Sequence, residues 1–226
     1  MHRILAPFVL ALCLAAPASA DQRALSGFSA IWASGKFRVE ASVGDSYSVR
    51  VDGRDAADVV TTVNDGALRI SQRGTYWFGG APELDAVVHV TAPSYDSFAA
   101  QRGAEMRVQG PVSAQEMSLS AIQGGALRIE DLRADQLNAR ASQGGAVDAR
   151  GQCGVVRANA SMGGALNAEG VECERAEVSA SMGGVASVFA RETVDANATM
   201  GGAIDVSGDP TRNDTSAIMG GAISIN

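Results

Sequence analysis

The run Ser161-Met162-Gly163-Gly164-Ala165-Leu166 recurs, lightly edited, through the second half of the chain. Its copies are Ile122-Gln123-Gly124-Gly125-Ala126-Leu127, Ser142-Gln143-Gly144-Gly145-Ala146-Val147, Ser181-Met182-Gly183-Gly184-Val185-Ala186, Thr199-Met200-Gly201-Gly202-Ala203-Ile204 and Ile218-Met219-Gly220-Gly221-Ala222-Ile223. The first glycines fall at 124, 144, 163, 183, 201 and 220, giving steps of 20, 19, 20, 18 and 19. So regular a period marks a chain that stacks one small unit on the next, because one unit alone cannot bury its apolar face. Gln101-Arg102-Gly103-Ala104 reads as a degenerate first copy.

Residues alternate apolar and polar on both sides of each glycine pair. Leu137-Asn138-Ala139-Arg140-Ala141-Ser142 and Val156-Arg157-Ala158-Asn159-Ala160-Ser161 precede a pair, and Leu127-Arg128-Ile129 and Val147-Asp148-Ala149 follow one. Period-two alternation means strands with one buried face. Strand, glycine corner, strand and loop at this spacing predict an all-β fold, a right-handed parallel β-helix with coils about 4.8 Å apart. A leucine-rich repeat is excluded by the missing L-x-x-L-x-L pattern, and the nonapeptide calcium-binding roll by its shorter period. The glycines are expected to form stacked corners rather than phosphate loops, since a strand and not a helix follows each pair. Continued alternation places Gln123, Gln143, Met162, Met182, Met200 and Met219 in one inward column, the methionines as core filler rather than metal ligands and the glutamines as an amide ladder.

Met1 to Ala20 has the n-region, apolar run and Ala18-Ser19-Ala20 site of a secretory signal peptide. Cys13 is not expected to carry a lipid, because Leu12 precedes it. The mature chain is then a single β-helix domain, 21–226, with irregular N-terminal strands over 21–98 and regular coils over 99–226. Ala30 to Trp32, Phe37 to Ala41, Tyr47 to Val51, Val59 to Val63, Ala67 to Ile70 and Ala86 to Thr91 read as strands. Asn64-Asp65-Gly66 gives the strongest hairpin signal, and Tyr76-Trp77-Phe78 reads as a loop. Without Arg3 the chain carries 17 Lys and Arg against 25 Asp and Glu, a formal charge of −8. That argues against nucleic acid and anionic membranes as partners. Aromatics make up only 5%, so the core must be thin.

Cys153 and Cys173 each lie 10 residues before a first glycine, at one position in consecutive repeats. In-register Cα atoms about 4.8 Å apart suit a disulfide, and an exported chain favours one.

Catalytic chemistry is sparse. His89, within Val87-Val88-His89-Val90, reads as structural. No C-x-x-C, H-E-x-x-H or histidine cluster offers a transition-metal site, and no cofactor is implied. Asp148 and Asp205, in the column after the glycines, lie three coils apart. Glu177 and Asp195 are adjacent and could pair, but read as solvated surface. The glycosylation-like triplets at Asn159, Asn197 and Asn213 read as outer-face residues of the coils. Asn159, Ser161, Ser179, Ser181, Asn197 and Thr199 together form a flat polar face, the candidate binding surface for a glycan or, more remotely, ice.

Phe28-x-x-Ile31, Gly35-x-Phe37-x-Val39, Val49-x-Val51, Leu68-x-Ile70 and Val88-x-Val90-x-Ala92-Pro93, followed by glycine-punctuated coils, resemble the putative autotransporter adhesin head GIN domain family, DUF2807. The resemblance covers nearly the whole mature chain. It implies a right-handed β-helix, export and an adhesin-like surface role, and it brings no catalytic residues. The x-Gly-Gly-Ala corners depart from the Ser-Gly-x-Gly-like ones expected of that family. No membrane barrel follows in this sequence, so "autotransporter" is not expected to describe this chain alone.

The resulting expectation is a non-enzymatic structural, adhesion or binding module of the bacterial envelope, periplasmic or at the cell surface. Its partner would be a glycan or an envelope protein. The competing reading is a carbohydrate-active β-helix enzyme, a polysaccharide lyase or hydrolase; a third is a passive scaffold. Weak homo-oligomerisation through the C-terminal coil is also expected, because an uncapped solenoid end exposes backbone and core.

Overall fold

Alternating segments on either side of the glycines do form strands. The structure, a computed structural model, describes residues 21–74 and 82–226. The segment Met1 to Ala20 read as a signal peptide, with its Cys13, and Tyr76-Trp77-Phe78 lie outside the described residues. The N-terminal strands are β1 (Asp21–Arg23), β2 (Ala30–Ser34), β3 (Arg38–Val43), β4 (Ser48–Asp52), β5 (Val59–Asn64), β6 (Ala67–Gln72), β7 (Val87–Ala92), β8 (Ser97–Gln101) and β9 (Glu105–Gln109). Four long strands follow: β10 (Val112–Ile122), β11 (Ala126–Ser142), β12 (Ala146–Ser161) and β13 (Ala165–Ser181). The last coils break into β14 (Val185–Phe189), β15 (Thr193–Thr199), β16 (Ala203–Ser207), β17 (Arg212–Ile218) and β18 (Ala222–Ile225).

Successive coils pair in parallel and in register. Met117, Leu137, Val156, Ala176 and Val194 stack in one line, and Leu127, Val147, Leu166, Ala186 and Ile204 in the facing one. All ten are buried, within one core that runs from Phe28 to Val206. The fold is therefore a parallel β-solenoid. Its interior is narrow because alanines occupy many inward positions, among them Ala141, Ala160, Ala180 and Ala198.

The N-terminal end is built differently. β6 and β7 pair with β2 and β3 on one side, while β8 and β9 pair with the same two strands on the other. The first coil in sequence is thus the second along the axis. Antiparallel strands close the end: β4 on β7, β1 on β4, and β5 on β6. The hairpin read from Asn64-Asp65-Gly66 is the β5–β6 connection.

Each corner is a two-residue turn with positive φ at both central positions. Met162 and Gly163 have φ of 49° and 71°, and the amide of Gly164 closes the turn on the Ser161 carbonyl at 3.0 Å. This is type I′ geometry, which costs an L-residue strain and costs glycine little. The β5–β6 hairpin uses the same geometry, with Asp65 at 51° and Gly66 at 73°. The two glycines of a corner do different jobs. A Cβ on the first would meet open space, so only its φ demands glycine. A Cβ on the second would lie 2.1–2.4 Å from a carbonyl oxygen of the neighbouring coil.

The turn also overturns the inward placement of the residue before the glycines. Positive φ breaks the strand alternation there and swings the side chain out. Met162, Met182, Met200 and Met219 are 42%, 48%, 49% and 72% exposed, and Gln123 and Gln143 are exposed as well. The methionines fill no core, and the glutamines form no buried ladder.

Candidate ligand-binding face

The limb before each corner displays an outer face ruled by two polar columns. In the first, Ser120, Arg140, Asn159, Ser179, Asn197 and Ser216 follow one another coil by coil. In the second, the order is Ser118, Asn138, Arg157, Glu177, Asp195 and Asp214. A shallow, open groove of about 580 Å³ runs along these columns. The second column is cross-linked between coils. Arg157 donates from Nε to Glu177 Oε2 at 2.9 Å and from Nη1 to Gln136 Oε1 at 3.1 Å, and Asn138 Nδ2 donates to Glu116 Oε1 at 2.8 Å.

Of the six residues anticipated from the sequence, Asn159, Ser179 and Asn197 stand exposed together in the first column. Ser161 does not belong to an accessible face. It is only 7% exposed, and Ser142, one coil earlier in the same column, is 2% exposed. These serines immediately precede the type I′ turn, in the crook of the stacked corners. Ser181 and Thr199 in that column are half-buried. Arg140 and Arg157 complete the groove, and alternation alone, which points both outward in the columns of Asn159 and Glu177, was sufficient to find them.

The carboxylates are dispersed or engaged. Glu177 and Asp195 are in register, but Arg157 already holds Glu177. Asp148 and Asp205 are separated by Asn167 and Ser187, as the repeat spacing requires. On the N-terminal coils His89 points away from the core despite its buried neighbours Val88 and Val90. Its Nδ1 lies 3.3 Å from Glu40 and its Nε2 3.3 Å from Asp52, which also accepts Arg50 at 2.8 Å. Among the described residues no group of three or more His, Cys, Asp or Glu is disposed to hold a metal ion.

Cys153 and Cys173 are paired in register and joined by a disulfide, with Cα atoms 4.6 Å apart. Asn159 and Asn197 project from the outer face as anticipated. Asn213 does not: it stacks on inward-facing Val194 and occupies a core-side position of the last coil.

No curated protein matches the chain. Solved structures do match its fold. A "putative adhesin" from Bacteroides fragilis NCTC 9343 is 17% identical and superposes with a TM-score of 0.83 over 92% of this chain and 96% of that one. A "putative lipid binding protein" from Parabacteroides distasonis ATCC 8503 is 18% identical, with a TM-score of 0.71 over 92% and 96%. A "putative adhesin" from Parabacteroides merdae ATCC 43184 is 14% identical, with a TM-score of 0.67 over 92% and 95%. Residues 27–210 match the family described as putative auto-transporter adhesin, head GIN domain (DUF2807), and the chain belongs to that family.

Proposed function

We propose that this protein is an exported, non-enzymatic adhesion module of the bacterial envelope that binds a glycan along the outer face of the coils. The observation that carries the reading is the exposed column Arg140, Asn159, Ser179, Asn197 beside an open groove. Hydroxyl and amide groups repeated at the coil spacing suit a polymer with repeated hydroxyls, and the arginines add charged donors. Family membership and the disulfide support an exported binding role. The competing carbohydrate-active enzyme calls for two free carboxylates across a bound sugar, whereas Glu177 is held by Arg157.

A glycan array with the mature chain tests the proposal, using Asn159→Ala/Asn197→Ala as the comparison. Retention on a glycan that weakens at least tenfold in the variant is the expected result. Equal retention by both forms, or none by either, counts against this face.

We also infer weak self-association through the last coil. Ile223 and Ile225 of β18 are half-exposed at its edge, and a second copy would cover them. The β17 half of that coil is less adhesive, because Asn213 and Thr215 replace the Val194 and Ala196 of the coil before. Light scattering that stays monomeric at high concentration rejects the idea.

A further inference from the structure

The corner methionines are an unexplained expense of the fold. Four consecutive coils place Met at the first central position of a type I′ turn, with φ of 48–49°. Asn, Asp and Gly adopt that conformation more readily, and this chain uses Asp65 at its own hairpin. Each methionine also leaves a long apolar side chain in solvent. Methionine is scarce elsewhere: of seven in the sequence, four occupy this one column. Strain and partial exposure repeated at four coils, away from the core, point to a role for the side chain itself.

The geometry of the column specifies that role. Ser161, Ser181, Thr199 and Ile218 are in register immediately before the four methionines. Corner amides bond across coils, Gly163 to the Met182 carbonyl and Gly201 to the Met219 carbonyl, each at 3.2 Å. Neighbouring methionines therefore leave the backbone at the coil spacing, which the disulfide records as 4.6 Å between Cα atoms. Metal–sulfur bonds of about 2.3 Å set two sulfurs on opposite sides of an ion roughly 4.6 Å apart. Thioethers are soft ligands that select soft ions such as copper(I) over zinc, calcium or magnesium. The two cysteines are tied up in the disulfide, so no thiolate among the described residues competes.

We propose that Met162, Met182, Met200 and Met219 form a ladder that binds soft monovalent metal ions, copper(I) or silver(I), between thioethers of adjacent coils. Gln123 and Gln143 continue the column at the earlier corners but bring no sulfur, so the site begins at Met162. It lies on the corner rather than in the polar groove, and its occupancy does not depend on the glycan reading.

The test uses the full mature chain with ¹³C-methyl-labelled methionine, titrated with silver nitrate in nitrate buffer. Copper(I) affinity is measured separately under argon against a chromophoric chelator. The expected result is that the methyl signals of the four ladder methionines move, while those of Met106 and Met117, buried in the core, do not. Replacing all four by asparagine, which suits the turn and preserves the fold, should lower copper(I) affinity by at least a hundredfold. His89→Ala should leave it unchanged. Unmoved ladder signals, or full affinity in the asparagine variant, overturns the proposal. Binding of phosphatidylglycerol vesicles that depends on the methionines, without any silver-induced shift, also overturns it and assigns the stripe to lipid.

Discussion

Arg128 reaches across one coil to Asp148 and places both Nε, at 3.0 Å, and Nη2, at 2.6 Å, on the same oxygen, Oδ2. Oδ1 of Asp148 is buried and has no hydrogen-bond partner. The pair is thus half satisfied, and the carboxylate depends on the arginine. Removing the cation leaves a partly buried charge, while removing the acid leaves a solvated arginine. Arg128→Ala is expected to cost about 1 kcal/mol and Asp148→Ser close to nothing, since Asn167 and Ser187 already occupy that column. The double variant should recover most of the loss, and urea unfolding of all three measures the coupling.

The two glycines of one corner should respond unequally to a methyl group. Gly183→Ala meets open space and carries only the cost of φ at +73°, about 1 kcal/mol. Gly184→Ala drives a Cβ to 2.4 Å from the Ala160 carbonyl oxygen, which must push two coils apart. A cost at least twice that of Gly183→Ala is expected from chemical denaturation. Equal costs would mean that the corners are not in close contact.

The disulfide ties two coils between the limb that follows one corner and the limb that precedes the next. Closing a loop of about 20 residues stabilises by roughly 3 kcal/mol in the chain-entropy model. Cys153→Ala/Cys173→Ala is therefore expected to lower Tm by roughly 6–12 °C for a domain of this size. Non-reducing peptide mapping establishes the bond, and calorimetry reads its effect.

Tyr95 sets an alkaline limit. Its hydroxyl donates to the Ser42 carbonyl at 3.1 Å, and burial pushes its pKa well above the usual tyrosine range. A raised pKa favours the neutral phenol in the folded state. The stabilisation is complete below the unfolded value of about 10 and is lost as pH rises beyond it. Unfolding free energy should fall above that pH in the parent and fall less steeply in Tyr95→Phe, which itself costs about 1 kcal/mol at neutral pH.

Most of the architecture was legible because period-two alternation and a fixed repeat are local signals. The inward positions of the limbs before the corners, from Leu137 to Ala198, are buried, and the cysteines pair as their equal offsets require. Alternation failed where the backbone stops being a strand. The methionines were misplaced because a positive φ resets which way a side chain points, and nothing in Ser-Met-Gly-Gly announces that sign. Ser161, still in β12 ahead of the turn, was misplaced because the crook of the stacked corners covers it. The N-terminal coil order was invisible for another reason. Pairing of β2 with both β6 and β8 is long-range, and the Gly-Gly copies that mark neighbouring coils do not occur in β2 or β6. The outer face was legible too, because the repeat spacing lines up Asn159 and Ser179 and alternation points Arg140 outward in the same column.

The placement of β2 and β3 between two later coils has a consequence for how the molecule comes apart. A simple solenoid can fray from either terminus, one coil at a time. Here the earliest coil is clasped on both sides, and its outer neighbour is itself closed by antiparallel strands. Peeling can start only at the far end, at β17 and β18. Amides of β2 and β3 should therefore exchange with solvent as slowly as those of β12, although they lie near the start of the chain. The opposite end should lose protection first and in strict reverse order, like a stack from which only the last plate can be lifted.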